Sequence, residues 1–534
     1  MQSDNNQNNG SGSQWNRRKF LKSVPLALGA PFVLTRTSRG ADAYKKGQQP
    51  DDKPISAEEV LKAVPEPVIP NRQDLKEMYD RCWVLGLESS ELAIPGSGFV
   101  DWYIDAAFDN RIFQWDTCFS LAWAKYSQGS LPNMKSLDNF YRKQHEDGAI
   151  SGVIRKESGE DDQPKDSPWF TRNNLFSWIE YEYYRTTGDA SRFERVVPIL
   201  ADYARWVQRN RRHDNGHLFW SGWSSGMDNS PRSRADKFYP PYSWVDYDAN
   251  EALAAWYLAK MAEVIGDRKT ADEFYNYHAE LKSLVNRDMW SEEDRFYWDL
   301  DKDGSFMKVK TIASFWPMWG RITEQNHVDG LMYHLNDSSS FDRPHRVPTT
   351  AADEEAYAYA GRYWRGSIWA PTNHMVTKGL MSQNQLKLAR DIVLNHLNNM
   401  AAVFSSTNTV WENYSPEFSK AGEPAKSDFV GWSAVGPIAQ LIENYIGIIP
   451  DVPDNKIRWN LLTTEKVGIR NLEFGQNNKV ELVADERRYY TDPITISSNT
   501  QKAFTLELFD GENTYTRQIA RGSSEFTLGE ESDN

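Results

Sequence analysis

The sequence predicts a mainly α protein, with a large helical body over residues 75–450 and a small C-terminal antiparallel β domain over 451–534. Apolar residues recur at helical spacing through the first region, as in Leu253, Trp256, Tyr257 and Met261. Helical segments pair off there: 116–127 with 133–145, 172–187 with 191–212, 246–265 with 268–288, and 365–381 with 383–402. After Pro450 the period drops to two, in runs such as Lys479-Val480-Glu481-Leu482-Val483-Ala484 and Phe504-Thr505-Leu506-Glu507-Leu508.

The chain opens on a polar Asn, Gln, Ser and Gly stretch over residues 2–14. Asn16-Arg17-Arg18-Lys19-Phe20-Leu21-Lys22 follows, then an apolar run over 24–34 that is too short to cross a bilayer. That layout is an export signal, and Arg17-Arg18 with Phe20-Leu21-Lys22 resembles a bacterial twin-arginine signal. Ala41-Asp42-Ala43 offers a cleavage site, so residues 1–43 read as a signal and the mature protein as periplasmic or extracellular. Residues 44–74, charged and Pro-rich, read as a linker.

Within the body, Gly188-Asp189 and Gly266-Asp267 punctuate two of the helix pairs at similar places. Long loops rich in Trp, Gly, Asp and Arg separate the pairs, and loops of that length are usually functional. Residues 296–309 alternate like a hairpin with Asp303-Gly304 as its turn. Asp299, Asp301, Asp303 and Gly304 mimic the start of a calcium loop, but its twelfth position is Lys310 where a bidentate Glu is needed. A hairpin is therefore preferred to a metal site. The two cysteines, Cys82 and Cys118, are too few for a disulfide framework, and Cys118 reads as a small buried residue on a helix.

The net charge of -14 argues against a nucleic-acid partner. The 21 Trp and 25 Tyr suit a carbohydrate partner, because flat amphipathic rings stack on sugar faces. The alternative use of such rings is packing between helices. No segment after the leader is long and apolar enough for a membrane span.

Two carboxylates stand out. Asp228 lies in Ser224-Ser225-Gly226-Met227-Asp228-Asn229-Ser230-Pro231, among residues that break helices and form turns, close to Trp220, Trp223 and Trp244. Glu412 lies in Val410-Trp411-Glu412-Asn413-Tyr414-Ser415-Pro416, again a loop beside a tryptophan. Glycoside hydrolysis needs such a pair: an acid for the leaving oxygen and a base or nucleophile on the other face. An Asx-turn is the simpler reading of Asp228 taken alone. Phe113-Gln114-Trp115-Asp116-Thr117 puts Asp116 at a helix start, as sugar contact or as N-cap. Tyr363-Trp364-Arg365-Gly366-Ser367-Ile368-Trp369 puts Arg365 between aromatics, to hold a carboxylate, bind a hydroxyl or pack on a ring.

Gln114-Trp115-Asp116, the Asp228 loop, Tyr363–Trp369, Trp411-Glu412-Asn413-Tyr414 and Phe429-Val430-Gly431-Trp432-Ser433 occur in that order. The set resembles glycoside hydrolase family 63, with its processing α-glucosidases and mannosylglycerate hydrolase-like enzymes, over roughly residues 75–450. The resemblance implies an (α/α)6 toroid and an inverting mechanism without metal or organic cofactor. It matches Asp228 to the general acid and Glu412 to the general base. Trp115, Asp116, Trp364, Arg365 and Trp369 match the sugar pocket, and Trp223, Trp411 and Trp432 are further expected substrate contacts. Many members carry a large N-terminal β domain, for which the stretch before residue 75 has no room. The C-terminal β tail resembles appendages of α-L-rhamnosidases. The rival readings are a polysaccharide lyase, with His145 or His374 as base and Arg365 on a uronate, and a carbohydrate-binding protein with a decayed site.

Overall fold

The computed structural model describes residues 55–529, apart from 108, 220–221 and 233–241; of 222 and 223 it describes the backbone only. The described residues belong to one compact unit within 53–534. The export signal expected at 1–43 lies outside the described residues.

Part of the segment expected to be a linker forms secondary structure. Helix α1 (Ala57–Ala63) starts on a capping box in which Ser56 and Glu59 satisfy each other's backbone amides. Strand β1 (Glu66–Val68) then pairs antiparallel with the C-terminal domain, Pro67 opposite Ile469. Composition hid both, because a three-residue edge strand carries no periodicity of its own.

The body is built from α2 (Gln73–Ser89), α3 (Gln114–Ala124), α4 (Phe176–Thr187), α5 (Phe193–Asn210), α6 (Val245–Val264), α7 (Arg268–Asp288), α8 (Gln325–Leu335), α9 (Ala370–Ser382) and α10 (Leu386–Thr407). The expected segments 172–187, 191–212, 246–265 and 268–288 correspond to α4 through α7. The segment 133–145 does not make a long helix: only Met134–Leu137 and Asp138–Tyr141 coil. Residues 365–369 are loop, and α9 starts after Trp369. Helices α4 and α6 stop at Gly188 and Gly266, both left-handed at φ 78 and φ 76.

The helices are of two kinds. Every residue of α3 is buried, as is α6 from Val245 through Ala255. Such helices belong inside the body. By contrast α5 buries Val196, Val197, Leu200, Tyr203, Ala204 and Val207 and exposes its charged side, so it lies outside. A π-helix, Gly436–Ile446, is also fully buried. Lys125 after α3, Glu182 on α4, Lys378 on α9 and Glu443 on the π-helix form a buried ring of alternating charge. Lys125 and Lys378 reach Glu443 at 2.8 and 2.7 Å, and Glu182 at 3.5 and 3.0 Å. Four inner elements are thereby fastened by groups that would each be costly alone.

Two sheets follow the body. One runs β1, β4 (Val467–Glu473), β5 (Lys479–Ala484), β6 (Ile494–Thr500), β9 (Gly522–Leu528); the other runs β2 (Ile448–Asp451), β3 (Lys456–Asn460), β7 (Phe504–Phe509), β8 (Thr514–Ile519). The domain is not wholly antiparallel: β3 and β7 pair in parallel, Trp459 beside Leu508. The chain leaves β6 in the first sheet and enters the second alongside β3, so β7 arrives in the same direction. The hairpin near residue 300 forms, with Asp299 opposite Met307. Cys82 and Cys118 are both free and buried. Among the described residues no helix is long and apolar enough to cross a membrane.

Candidate active site

The Asp228 loop is fixed from both ends. Before it, the short turn Gly222–Ser225 is held by Ser224 Oγ donating to Pro168 O at 2.9 Å. Gly226 has φ 78 and lies against Trp115: an added Cβ would sit 3.6 Å from the indole and strain the backbone. After it, buried Arg232 pairs with Asp299 at 3.1 Å and with Asp246, under the first turn of α6. Asp299 also accepts the Val245 amide at 2.9 Å. The hairpin carboxylate that mimicked a calcium ligand thus clamps the loop that carries Asp228.

Glu412 sits in a strand-like segment sewn to two others. Its amide donates to Lys426 O at 2.9 Å, and Trp411 bridges to Ser427. On the other side Tyr414 and Ile368 exchange backbone bonds of 2.9 and 2.8 Å. Trp432 Nε1 and Ser433 Oγ donate to Glu412 O at 3.1 and 3.4 Å.

The two carboxylate loops meet at the Tyr363–Trp369 loop. Trp364 N donates to Asn229 Oδ1 at 2.8 Å, Asn229 Nδ2 to Arg362 O at 3.1 Å, and Arg365 Nε to Asn229 O at 3.2 Å. Arg365 therefore clamps the backbone next to Asp228. Tyr363 Oη then donates to Glu412 Oε1 at 3.0 Å. Three consecutive residues, 363 to 365, so touch both carboxylate loops.

Tryptophans frame this group. Trp364 stacks on Trp369 at 3.9 Å and 6°. Trp115 meets Trp364 edge-on at 6.3 Å and Trp432 at 5.7 Å. Trp369 is 0% exposed, so it backs Trp364 and has no surface for a ligand. Trp411 does not join the cluster: its indole donates to Thr407 Oγ1 at the end of α10. The Trp223 side chain lies outside the described residues. Trp244 is buried beneath Arg232, whose guanidinium lies 5.0 Å from the ring.

Asp116 is not an N-cap. It lies inside α3, whose cap is Phe113, and is 7% exposed. Burial, with Asp105 and Asp228 nearby, pushes its carboxyl well above the usual range. The Asp228 side chain reaches solvent, yet protein crowds it. Desolvation first, then the charge of Glu412, pushes it up to about 6 against the pull of Arg172. Glu412, 4% exposed, is also raised by burial, opposed by Lys426, the Tyr363 hydroxyl and the Lys426 amide. The environments differ in kind. Asp228 is pushed toward its protonated form, and Glu412 is furnished with donors that favour the carboxylate.

Four contributors escaped the sequence reading: Arg172, Asn229, Tyr363 as a donor, and Lys426. Asn229 and Tyr363 lay inside the flagged motifs. Arg172 headed the segment expected as a helix but lies in the loop before α4, Lys426 belonged to no motif, and only the fold brings them in. Arg172 Nη1 is held by Trp169 O at 2.8 Å and Ser224 Oγ at 3.5 Å. The histidines of the lyase reading stand apart. His145 Nε2 lies 2.7 Å from Asp161. His374 is buried between α3 and α4 aromatics, and desolvation lowers it to about 3.

A family model described as the mannosylglycerate hydrolase MGH1-like glycoside hydrolase domain matches residues 110–433, from before Trp115 to beyond Trp432. An uncharacterized protein of Borreliella burgdorferi is 27% identical over 412 residues, 75% of this chain and 85% of that one. The mannosyl-oligosaccharide glucosidase of Saccharomyces cerevisiae is 24% identical over 292 residues, covering 48% of this chain but only 33% of that enzyme. Among solved structures, the GH63 mannosylglycerate hydrolase from Thermus thermophilus in complex with glucose superposes with a TM-score of 0.54 at 19% identity, over 68% of this chain and 100% of that one. Match and fold define a glycoside hydrolase. The chain belongs to the mannosylglycerate hydrolase MGH1-like family.

Proposed function

We infer that the chain is an exported, inverting α-glycosidase in which Asp228 is the general acid and Glu412 the general base. The helices close into an (α/α)6 toroid, inner helices such as α3 and α6 within outer ones such as α5, with the carboxylate loops over one mouth. Asp228 keeps its proton long enough to pass it to the glycosidic oxygen. Glu412, ionised, takes a proton from a water that attacks the opposite face of the sugar, so the product has the inverted configuration. The observation that carries the assignment is the clamp at 363–365. One loop fixes Asn229 beside the acid and hydrogen-bonds the base, which holds the two at a set separation. Inversion asks that this separation be about 6.5–9.5 Å, room for one water.

The substrate class is an α-linked glucoside or mannoside, with mannosylglycerate and glucosylated mannosyl-oligosaccharides as the first candidates by relationship. Trp115 and Trp432 supply apolar wall, backed by the buried Trp364–Trp369 pair, and protonated Asp116 a hydroxyl partner. The test is a screen of α-glucosides, α-mannosides and glycosylglycerates, with NMR of the first-formed anomer. A first-formed β anomer supports the assignment. An α anomer would reassign Glu412 as a nucleophile.

A further inference from the structure

A cavity of about 550 Å³ lies between α10 and the β domain. Lys387 and Arg390 line it from the helix, and Tyr490, Asp492, Asp510 and Asn513 from the strand connections. The β-domain wall lies beyond the span matched to the family, and none of these residues belongs to the Asp228–Glu412 loops. The volume suits a small ligand.

Its chemistry narrows what that ligand is. Tyr490 is 59% exposed, yet it is not loose: its hydroxyl donates to Leu462 O at 3.4 Å, and the buried Arg487 guanidinium lies 5.8 Å from its ring. An exposed ring held in place is an organised stacking surface. Asp510 is anchored by the Glu512 and Asn513 amides at 2.8 and 2.7 Å, and Asp492 by the Arg488 and Tyr489 amides at 3.1 and 2.9 Å. Arg390 lies with its guanidinium 5.5 Å from the Tyr445 ring and closes the wall, while Lys387 offers an ammonium donor. Fixed acceptors, an ammonium donor and an aromatic platform together match a molecule whose hydroxyls both donate and accept.

Other ligand classes fit worse. The wall carries four carboxylates, Asp391, Asp492, Asp510 and Glu512, against the two cations Lys387 and Arg390, which opposes a phosphate or a polyanion. Among the described residues no group of His, Cys, Asp and Glu is arranged to hold a metal ion. We propose that this cavity is a second saccharide-binding site, taking a short stretch of neutral glycan with one sugar stacked on Tyr490. It goes beyond the reading of the Asp228 and Glu412 loops and does not depend on it. A glycan held there would be kept on the enzyme between turnovers of its free end, an avidity effect that small substrates cannot show.

The test is affinity electrophoresis of the full chain through gels containing yeast mannan or soluble starch, comparing wild type, Tyr490→Ala and Lys387→Ala. Small α-glycoside turnover is measured in parallel, and thermal unfolding checks that each variant folds. Retardation in one gel, weakened several-fold in both variants with turnover of small substrates unchanged, is the expected result. The same loss of retardation in a chain with no α-glycosidase activity would sink the reading of the catalytic loops and leave this site standing. Retardation equal in all three proteins, or absent from both gels, overturns the proposal.

Discussion

Removing one oxygen, by Tyr363→Phe, separates the role of Glu412 from mere presence in the site. Tyr363 Oη donates to Glu412 Oε1 at 3.0 Å, and Glu412 is 4% exposed, so the bond is little screened by water. A hydrogen bond to a charged acceptor contributes roughly 1.5–3 kcal/mol. That energy favours the ionised carboxylate, and about 1.36 kcal/mol corresponds to one pH unit, so the loss raises the Glu412 pKa by about one to two units. A general base works only when ionised, and its activity disappears as pH falls through its pKa. The acidic limb of kcat/KM therefore moves to higher pH by about that amount. On the proposed roles the alkaline limb belongs to Asp228, which must keep its proton and is raised to about 6 partly by the charge of Glu412, so it moves less than the acidic limb. The window between the limbs narrows and the maximum falls. The assay is kcat/KM against pH for wild type and variant on one α-glycoside. A uniform drop with both limbs in place would refute the reasoning, and a larger movement of the alkaline limb than of the acidic one would reverse the two roles.

Asp228→Asn and Glu412→Gln each abolish turnover while far-ultraviolet circular dichroism and thermal midpoint stay close to wild type; near-normal activity in either removes that residue from its role. Asn229→Ala breaks the bonds to Trp364 N and Arg362 O, and misplacing the acid loop lowers kcat by roughly 10–100-fold; an unchanged kcat would mean the clamp is dispensable. Arg232→Met leaves Asp246 and Asp299 buried without their cation and costs about 3–5 kcal/mol by denaturant unfolding; a loss of only a few tenths would show the triad to be incidental. Replacing Arg17 and Arg18 by lysines blocks export, read by fractionation of the expressed protein; export that continues rejects the twin-arginine assignment.

The long helices were legible because their apolar spacing survives in any environment. Leu253, Trp256, Tyr257 and Met261 keep the period of α6 even though that helix is buried along most of its length. What the sequence misplaced was local and unperiodic: the short strand Glu66–Val68, the failed helix at 133–145, and the parallel entry of Phe504–Phe509 beside Lys456–Asn460. The first is decided by a partner at 468–470, the second by contacts from Ile104 and Arg192, and the third by a strand that lies across another sheet's worth of chain, so no window of adjacent residues contains the cause. Asp228 and Glu412 stood out as candidates, because a carboxylate among turn formers and indoles is an unusual local combination, but Trp369 and Trp411 turned out to pack elsewhere. Arg172 and Lys426 did not stand out: one headed an expected helix and the other belonged to no motif.

The supports also give a physical ground for the different roles proposed for the two carboxylates. Burial raises both, so burial alone does not divide the labour. The division comes from what each can accept. Glu412 is met by a phenol and a backbone amide, and by the charge of Lys426, all of which lose value if it takes a proton. For Asp228 the named influences are desolvation, the charge of Glu412 and the opposing charge of Arg172, with no hydrogen-bond donor among them. Ionised Glu412 then makes a proton on Asp228 easier to keep, so on the proposed assignment furnishing one carboxylate as a base prepares the other as an acid.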